Sequence, residues 1–404
     1  MGPAAILDIG SSKIVCLCGS SVPRGGIAVH GFAVSQYTGF HNGEFDDPAD
    51  LKATLIRTVQ RTEQEARTRI RELAISVPGA FCKTVLTDAN VEVDSRGGKV
   101  TAEHIDELIS QSLKKADCPG YVLMHSTPIC FEVDGRISAE APEGARADDL
   151  AATVSHMYVE EAFVKQIEEI LDTIHVEISM CVSAVLCEAL LVIPEHERIR
   201  PAVLIDVGHT CTDIAVIENA ALTSLATIDV GGMHLTSDLS FGLDVPYESA
   251  EQVKRRFTFG QPPLSDTEIV RLPDGTKRVK HAVVEMILEA RAGELAGLIQ
   301  KGLTDFGIQP EAAPATYLSG GGFAMMRGGC EFLRKSLQLN VKRDMPMFTD
   351  ENNKPNMMSA YGALEFVIRA MNAALQEEME QPIQQAATEA VGSVLDRIKD
   401  LFTK

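Results

Sequence analysis

The sequence predicts an α/β protein built of two similar halves that face each other across a cleft. Three observations carry that reading. The first is an internal repeat: residues 4–18 read AAILDIGSSKIVCLC and residues 202–217 read AVLIDVGHTCTDIAVI. Each is a β-branched run, an aspartate, one apolar residue, a glycine-containing polar turn and a second β-branched run. That is the pattern of a hairpin carrying one carboxylate at the end of its first strand. The two aspartates, Asp8 and Asp206, stand about half of the 404-residue chain apart. The second observation is the alternation of strand-like and amphipathic helical stretches along both halves. The third is TYLSGGGFAMMRG, which sets a strand directly before Gly320, Gly321 and Gly322.

The elements follow in order. After the first hairpin come a strand near 27–33 and an amphipathic helix in DPADLKATLIRTVQRTEQEART, opened by Asp47 or Asp50. A strand at 73–77 ends at Pro78-Gly79. Residues 84–162 form a separate block: a strand at 84–94, a helix capped by Thr101 with Glu103 close behind, a strand at 121–130 and the loop APEGARADD. The helix EEAFVKQIEEILDTIH returns the chain to the main body, where strands at 178–182 and 202–206 flank a helix around 185–192.

In the second half, IDVGGMHLTSDLSFGL precedes the polar helical stretch ESAEQVKRRF. A Pro-rich segment with an Asp274-Gly275 turn leads to a long helix at about 279–306. The triple-glycine turn is expected to enter a helix, offering its N-terminus to negative charge. A last helix at about 359–375 is followed by EEMEQPIQQAATEA, which reads as a linker, and then by VGSVLDRIKDLFTK.

Composition narrows the functions available. The chain holds 57 acidic and 37 basic side chains, a net charge of −20, and is 45% hydrophobic. That balance permits a large core, but it argues against a general nucleic-acid binder and against contact of the body with anionic lipid. No run approaches the roughly 18 apolar residues of a membrane span. The N-terminus lacks a basic leader, so a cytoplasmic protein is expected. The nine cysteines are an odd number scattered through apolar runs, which suits buried thiols rather than disulfides. Neither they nor the ten histidines fall at metal-ligand spacing.

Three turns could cradle phosphate. In Asp8-Ile9-Gly10-Ser11-Ser12-Lys13, backbone N–H groups, two hydroxyls and an ammonium converge. Asp206-Val207-Gly208-His209-Thr210 offers a similar turn from the other side, and Asp8 and Asp206 suit Mg²⁺ held through water. Gly320–Gly322 allows close backbone approach to a nucleotide. One such glycine turn is ordinarily only turn geometry; three, two of them repeated, point to nucleotide binding. At the C-terminus, Val391, Val394, Leu395, Ile398, Leu401 and Phe402 share one helical face, with Asp396, Arg397, Lys399, Asp400 and Lys404 opposite. A helix docking on the body or on a partner would show this stripe. An interfacial membrane helix explains more, because it is terminal, tethered and slightly basic.

These turns resemble those of the actin-like ATPase superfamily. LDIGSSKI is similar to its first phosphate loop, VLIDVGHTCTDIAV to its second and YLSGGGFA to its adenosine loop. Within it the chain resembles the FtsA family of bacterial cell-division proteins. The resemblance is carried by GFAVSQYTGFHNGEFDD, IDVGGMHLTSDLSFGL with SAEQVKRRF, MILEARAGEL and KPNMMSAYGALEFV, and by the position of the 84–162 block.

The resemblance implies an actin-like fold with domain 1A at 1–83, 163–200 and 355–376, and an inserted subdomain 1C at 84–162. It places domain 2A at 201–236 and 308–354, subdomain 2B at 237–307, a linker at 377–390 and a membrane-targeting helix at 391–404. It implies ATP as ligand, with Gly10, Ser11, Ser12 and Lys13 on the phosphates and Gly208, His209 and Thr210 opposite. Asp8 and Asp206 would hold Mg²⁺ through water. Glu251 and Lys254 would meet the ribose or adenine, against the alternative of a solvated helix, and Gly320, Gly321, Gly322 and Phe323 would pack on the adenosine.

The implied partners are the FtsZ C-terminal tail at subdomain 2B, other copies of the chain in a filament, membrane lipid at the tail helix and other divisome proteins at 1C. The implied place is the cytoplasmic face of the membrane at the division site. Arg291, matching the arginine of the family's E-P-R helix, is the candidate FtsZ contact, with an intramolecular ion pair as the competing reading.

Two departures bear on chemistry. The family's second loop usually reads Asp-Ile-Gly-Gly-Gly-Thr, whereas two of those glycines are missing here, so phosphate contact there would be looser or made by side chains. Near the strand at 178–182 the chain reads ISMCVSAV, and Glu188 is expected out of register, leaving no evident general base and at most slow hydrolysis. The 1C loop EGARADDLAATVSHMYVEE matches the family's Gly-Met-x-Gly-x-Arg pattern only loosely. The rival readings are a PilM-type pilus-assembly ATP-binding protein, which would lack the amphipathic tail, and an actin-fold small-molecule kinase, which would need a further catalytic aspartate.

Overall fold

Both copies of the repeat fold as antiparallel hairpins. Ala4–Ile9 pairs with Lys13–Ser21, setting Asp8 opposite Val15, and Ala202–Val207 pairs with Thr212–Glu218, setting Asp206 opposite Asp213. The computed structural model describes residues 3–22, 26–93, 98–263, 265–312, 314–343 and 355–380. Within them each hairpin seeds a five-stranded mixed sheet. The first runs Ile27–Gln36, Lys13–Ser21, Ala4–Ile9, Glu72–Val77, Glu177–Ser183 in spatial order; the second runs Ala221–Ile228, Thr212–Glu218, Ala202–Val207, Thr316–Ser319, Val341–Lys342. In each, three strands connect by hairpins and two more join parallel to the first. The halves are therefore topological copies. Even the parallel neighbours of the two aspartates correspond: Ser76 beside Asp8 and Ser319 beside Asp206.

The continuous apolar runs of these strands arise because both faces of each sheet are covered. Alternate residues of the second hairpin divide accordingly. Ala202, Leu204, Ala215 and Ile217 join the core of the first half, while Val203, Ile205, Val207 and Ile214 face the helices of the second. Asp47 caps the helix Pro48–Ala66 by accepting from the N–H groups of Ala49 and Asp50; Asp50 itself accepts from Thr38 N–H at 2.8 Å. Between the halves lie two helices packed on one another, Ala184–Val192 and Met358–Glu380. The second of these reaches into the segment expected to be a linker. In the second half the Asp274-Gly275 turn closes a hairpin, Thr267–Leu272 with Gly275–Lys280, ahead of the long helix His281–Asp305.

The inserted block is a four-stranded antiparallel sheet with spatial order Cys82–Glu92, Asp149–Glu160, Tyr121–Val133, Arg136–Ser138, carrying the helix Ala102–Leu113. Thr101 caps that helix, but the reciprocal partner is His104 rather than an acid. Val91, Leu108, Phe131, Leu150 and Val154 belong to a small core of its own. The strand Asp149–Glu160 is absent from the sequence reading; Leu150, Ala152 and Val154 face that core by strict alternation. The block grows out of the first half yet rests on the second. Ser155 Oγ donates to Leu222 O at 2.6 Å, and Asn219 Nδ2 donates to Ile129 O at 2.7 Å.

One expected feature is corrected. The triple glycine does not enter a helix: a turn follows Thr316–Ser319, and the next helix begins only at Gly329. The segment from 381 on, including the tail residues Val391, Val394, Leu395, Ile398, Leu401 and Phe402, lies outside the described residues. No described helix is long and apolar enough to cross a membrane. All nine cysteines are free thiols.

Because Leu108 is fully buried in the inserted block's separate core, Leu108→Ala should cost about 2–5 kcal/mol there. Hydrogen exchange should accelerate in Asp149–Glu160 and stay unchanged in Ala4–Ile9. Equal acceleration in both strands would show that the block does not have an independent core.

Candidate functional site

The three glycine-bearing turns, joined by a fourth at Gly231-Gly232, converge between the two sheets. The two hairpin turns touch directly: Thr210 N–H donates to Ser11 Oγ at 3.2 Å across the halves, and Thr210 Oγ1 donates to Phe40 O at 3.2 Å. Tyr37 Oη donates to Gly10 O at 2.8 Å and steadies the first turn. Behind the second turn, Gly322 N–H donates to Val207 O at 2.7 Å, and Gly232 N–H donates to Gly208 O at 2.9 Å. These contacts demand glycine. A Cβ on Gly320, where φ is +88°, would lie 2.1 Å from Asp206 Oδ1, and one on Gly322 would lie 2.0 Å from Gly208 O. Backbone is thus packed on backbone around the Asp206 carboxylate, an arrangement suited to close approach by a phosphate-bearing ligand.

Three carboxylates meet on the floor of this cleft. Asp8 accepts from Ser76 Oγ at 2.7 Å and from Ser359 Oγ at 2.9 Å; burial raises its pKa, and these bonds and Lys13 draw it back. Glu188, on the helix Ala184–Val192, is 1% exposed, accepts from Ser319 Oγ and hydrogen-bonds to Asp206. Burial and then the adjacent Asp206 push Glu188 well above the carboxylate range, so it carries the proton and donates it to Asp206. The expectation that Glu188 is out of register is therefore wrong. Ser183 caps its helix, and every residue from Ala184 to Ala189 is buried, so Glu188 has no route to solvent. A protonated carboxyl at this depth orients Asp206; it does not offer a base to water. Asp213, opposite Asp206 on the hairpin, is pushed up to about 7 by burial and then by Asp206.

This donor set fits a metal held through water better than one held by protein alone. Although Asp8, Glu188 and Asp206 are neighbours, no three His, Cys, Asp or Glu side chains among the described residues are placed to hold one metal ion directly. Asp206 Oδ1 is buried without a partner, an acceptor that a hydrated cation would satisfy. Lys13 Nζ donates to the carbonyl of Asn356, at the start of the last described segment.

The second half supplies a charged wall. Lys254 is 6% exposed, donates to Gly232 O at 2.9 Å and pairs with Glu251 at 2.7 Å. Glu251 also accepts from Thr236 Oγ1 and Arg255 Nε. Burial alone would raise Glu251, but the Lys254 ammonium and these bonds outweigh it and hold it at about 2. The reading of Glu251 and Lys254 as solvated charges is excluded. Together they lock the start of the helix Gly232–Leu243 against the second hairpin turn.

Not every predicted residue faces the cleft. Phe323 is fully buried among Phe259 and Phe332. Its ring supports the glycine turn from below, and the exposed side chain of that turn is Met325. Arg291 is engaged by Asp238 at 2.6 Å and Glu294 at 2.6 Å, the intramolecular pairing raised as its alternative. Sequence reasoning missed the inward face of Glu188 and the part played by Ser76, Ser319 and Ser359. The matched positions of Ser76 and Ser319, each beside a repeat aspartate, were the available signal.

Comparison with known proteins adds a family to this geometry. The family model described as "Cell division protein FtsA" matches residues 203–362. A relative of that name from Neisseria meningitidis is 25% identical over 98% of this chain and 96% of its own length. One from Rhizobium meliloti is 25% identical over 85% and 81% respectively. Among solved structures, the PilM-PilN type IV pilus biogenesis complex superposes with a TM-score of 0.61 at 17% identity, covering 90% of this chain and 98% of that one. A likeness at that identity speaks to fold alone.

The buried acids make a stability prediction. A carboxyl whose folded pKa is raised stabilises below its unfolded pKa and loses that contribution as pH rises through the folded one. For Asp213 the loss runs from about pH 4 to about pH 7. Asp213→Asn can keep the Thr227 hydrogen bond without the charge. Its melting temperature should gain on the parent between pH 4 and 7 and hold a constant difference above. A difference independent of pH would contradict this assignment.

Proposed function

We propose that this chain is an FtsA-like actin homologue of bacterial cell division, which binds ATP with Mg²⁺ in the cleft, assembles into filaments on the cytoplasmic face of the membrane and ties FtsZ filaments there at the division site. The observation that carries the nucleotide part is the convergence of the glycine turns on Asp206, with Asp8 and Lys13 facing them. Gly10, Ser11, Ser12 and Lys13 take the phosphates from one half, and the turn Gly208-His209-Thr210 closes on them from the other, with His209 at its tip. Glu251 and Lys254 fix the wall at the sugar, and Gly320–Gly322 take the adenosine. Asp8 and Asp206 hold the metal through water, and the metal supplies charge neutralisation at the phosphates. With Glu188 protonated and buried, turnover is slow, and the nucleotide serves chiefly as an assembly ligand.

The amphipathic stripe of residues 391–404 supports membrane attachment. Fourteen residues bury little area, so a single copy binds weakly and a filament sums many anchors. For the FtsZ tail, support comes from Phe241, 92% exposed, and Met286, 63% exposed. They stand on two helices that pack at Gly242 and Ile287, the same pair that Arg291 and Asp238 join. The inserted subdomain is the surface left for other divisome proteins. A PilM-type role shares the fold and lacks a use for the tail.

Electron microscopy of the purified chain with liposomes and ATP tests this reading. The full chain should coat liposomes with filaments, and a truncation after Gln385 should leave them bare. If neither protein coats them, the membrane-bound polymer is wrong. Independently, Lys13→Ala should weaken ATP binding roughly ten- to a hundredfold, since it removes a charge-assisted contact. Unchanged affinity by calorimetry would remove Lys13 from the site.

A further inference from the structure

We propose that His209 is a phosphate ligand that acts by gaining a proton, so that nucleotide binding by this chain is proton-linked. The proposal rests on the nucleotide reading above and concerns how the second turn grips its ligand. By the repeat, His209 stands where Ser11 stands in the first turn, directly after the turn glycine. The backbone around it is already committed. Gly208 N–H donates to Cys211 O at 2.9 Å, Thr210 N–H to Ser11 Oγ at 3.2 Å, and the His209 carbonyl accepts from Met233 N–H at 2.8 Å. The amides of Gly208 and Thr210 that a looser, glycine-rich turn would aim at phosphate are spent inside the protein. That leaves the amide of His209 and the side chain at the tip of the turn to supply the contact, and that side chain is an imidazole.

The groups facing His209 make its charge conditional. Lys254 and Glu251 approach from the helix Tyr247–Arg256, His234 from the helix Gly232–Leu243, and His41 from the first half across the cleft. Of these, Lys254 is paired with Glu251, His234 Nδ1 accepts from Gly231 N–H at 3.0 Å, and His41 Nδ1 lies 2.7 Å from Asp46. Burial first, and the Lys254 cation second, push His209 below the ordinary imidazole value, so it is neutral at pH 7 in the protein alone. A polyphosphate set among these groups reverses the balance, because the charged imidazole gains an anion as its neighbour. The sign follows. The bound state holds the higher pKa, so binding takes up a proton, and affinity rises as pH falls between the bound and free values by at most about tenfold per pH unit.

The test is calorimetry of Mg²⁺–ATP binding to the full chain between pH 5.5 and 8, in pairs of buffers with different ionisation enthalpies. His209→Gln and His209→Gly serve as variants, the second restoring a glycine, and thermal melts check that each is folded. Titration of the nucleotide itself is common to all three proteins. The parent should take up about half a proton or more beyond either variant at the pH where uptake peaks, and its affinity should climb more steeply as pH falls. Equal uptake in parent and variants, with binding intact, overturns the proton-linked role and leaves the nucleotide reading standing. Failure of the folded parent to bind Mg²⁺–ATP at any pH overturns both.

Discussion

Like charges forced together away from water repel one another and cannot all stay ionised; in this molecule Asp8, Glu188 and Asp206 meet in that condition on the floor of the cleft. Each neighbour of the three reduces that repulsion. Two serine hydroxyls hold Asp8, one holds Glu188, and a proton retained on Glu188 bridges to Asp206. Lys13 stands within electrostatic reach of both aspartates. In a chain with a net charge of −20, the buried acids and their few cations make the cleft a place where an added cation and a polyphosphate arrive together more favourably than either alone. The glycine turns are subordinate to the same constraint, since they let backbone close over the carboxylates where any side chain would collide.

Duplication explains how such a site can be assembled from ordinary parts. A hairpin with one aspartate, joined by a parallel strand bearing one serine, is built twice and turned to face itself. The copies then diverge. In the first, Ser76 binds its aspartate directly; in the second, the glutamate of an interposed helix comes between Ser319 and Asp206. Opposite Asp8 the hairpin carries Val15, and opposite Asp206 it carries Asp213. The second hairpin thus carries one acid more than the first, and it is the one whose turn carries a histidine.

The repeat, the two sheets it seeds and the convergence of the glycine turns were legible because they depend on local patterns: period-two apolar runs, one carboxylate and one glycine at fixed offsets. What escaped reading depends on contacts between distant segments. The strand Asp149–Glu160 is rich in alanine and polar residues, and its alternation becomes meaningful only beside Cys82–Glu92 and Tyr121–Val133. Glu188 is buried because its helix is covered by the last helix and by strands of both halves, a packing that no local pattern encodes. Phe323 follows the glycines in sequence, yet the aromatic cluster of Phe259 and Phe332 draws its ring inward. Glu251 and Lys254 read like any surface pair until the helix Gly232–Leu243 closes over them.

The inserted sheet leaves the first half at Cys82 and returns to it at Glu161, but its hydrogen bonds to Leu222 and from Asn219 fasten it to the edge of the second. It is a buttress spanning a joint. Should the halves rotate about the inner helices, either those two bonds part or the whole sheet swings with the second half and pivots on its own two connecting strands. Any such swing would be carried through the sheet to Arg136–Ser138, its edge strand. The placement of that one sheet ties the insert's orientation to the relative position of the two halves.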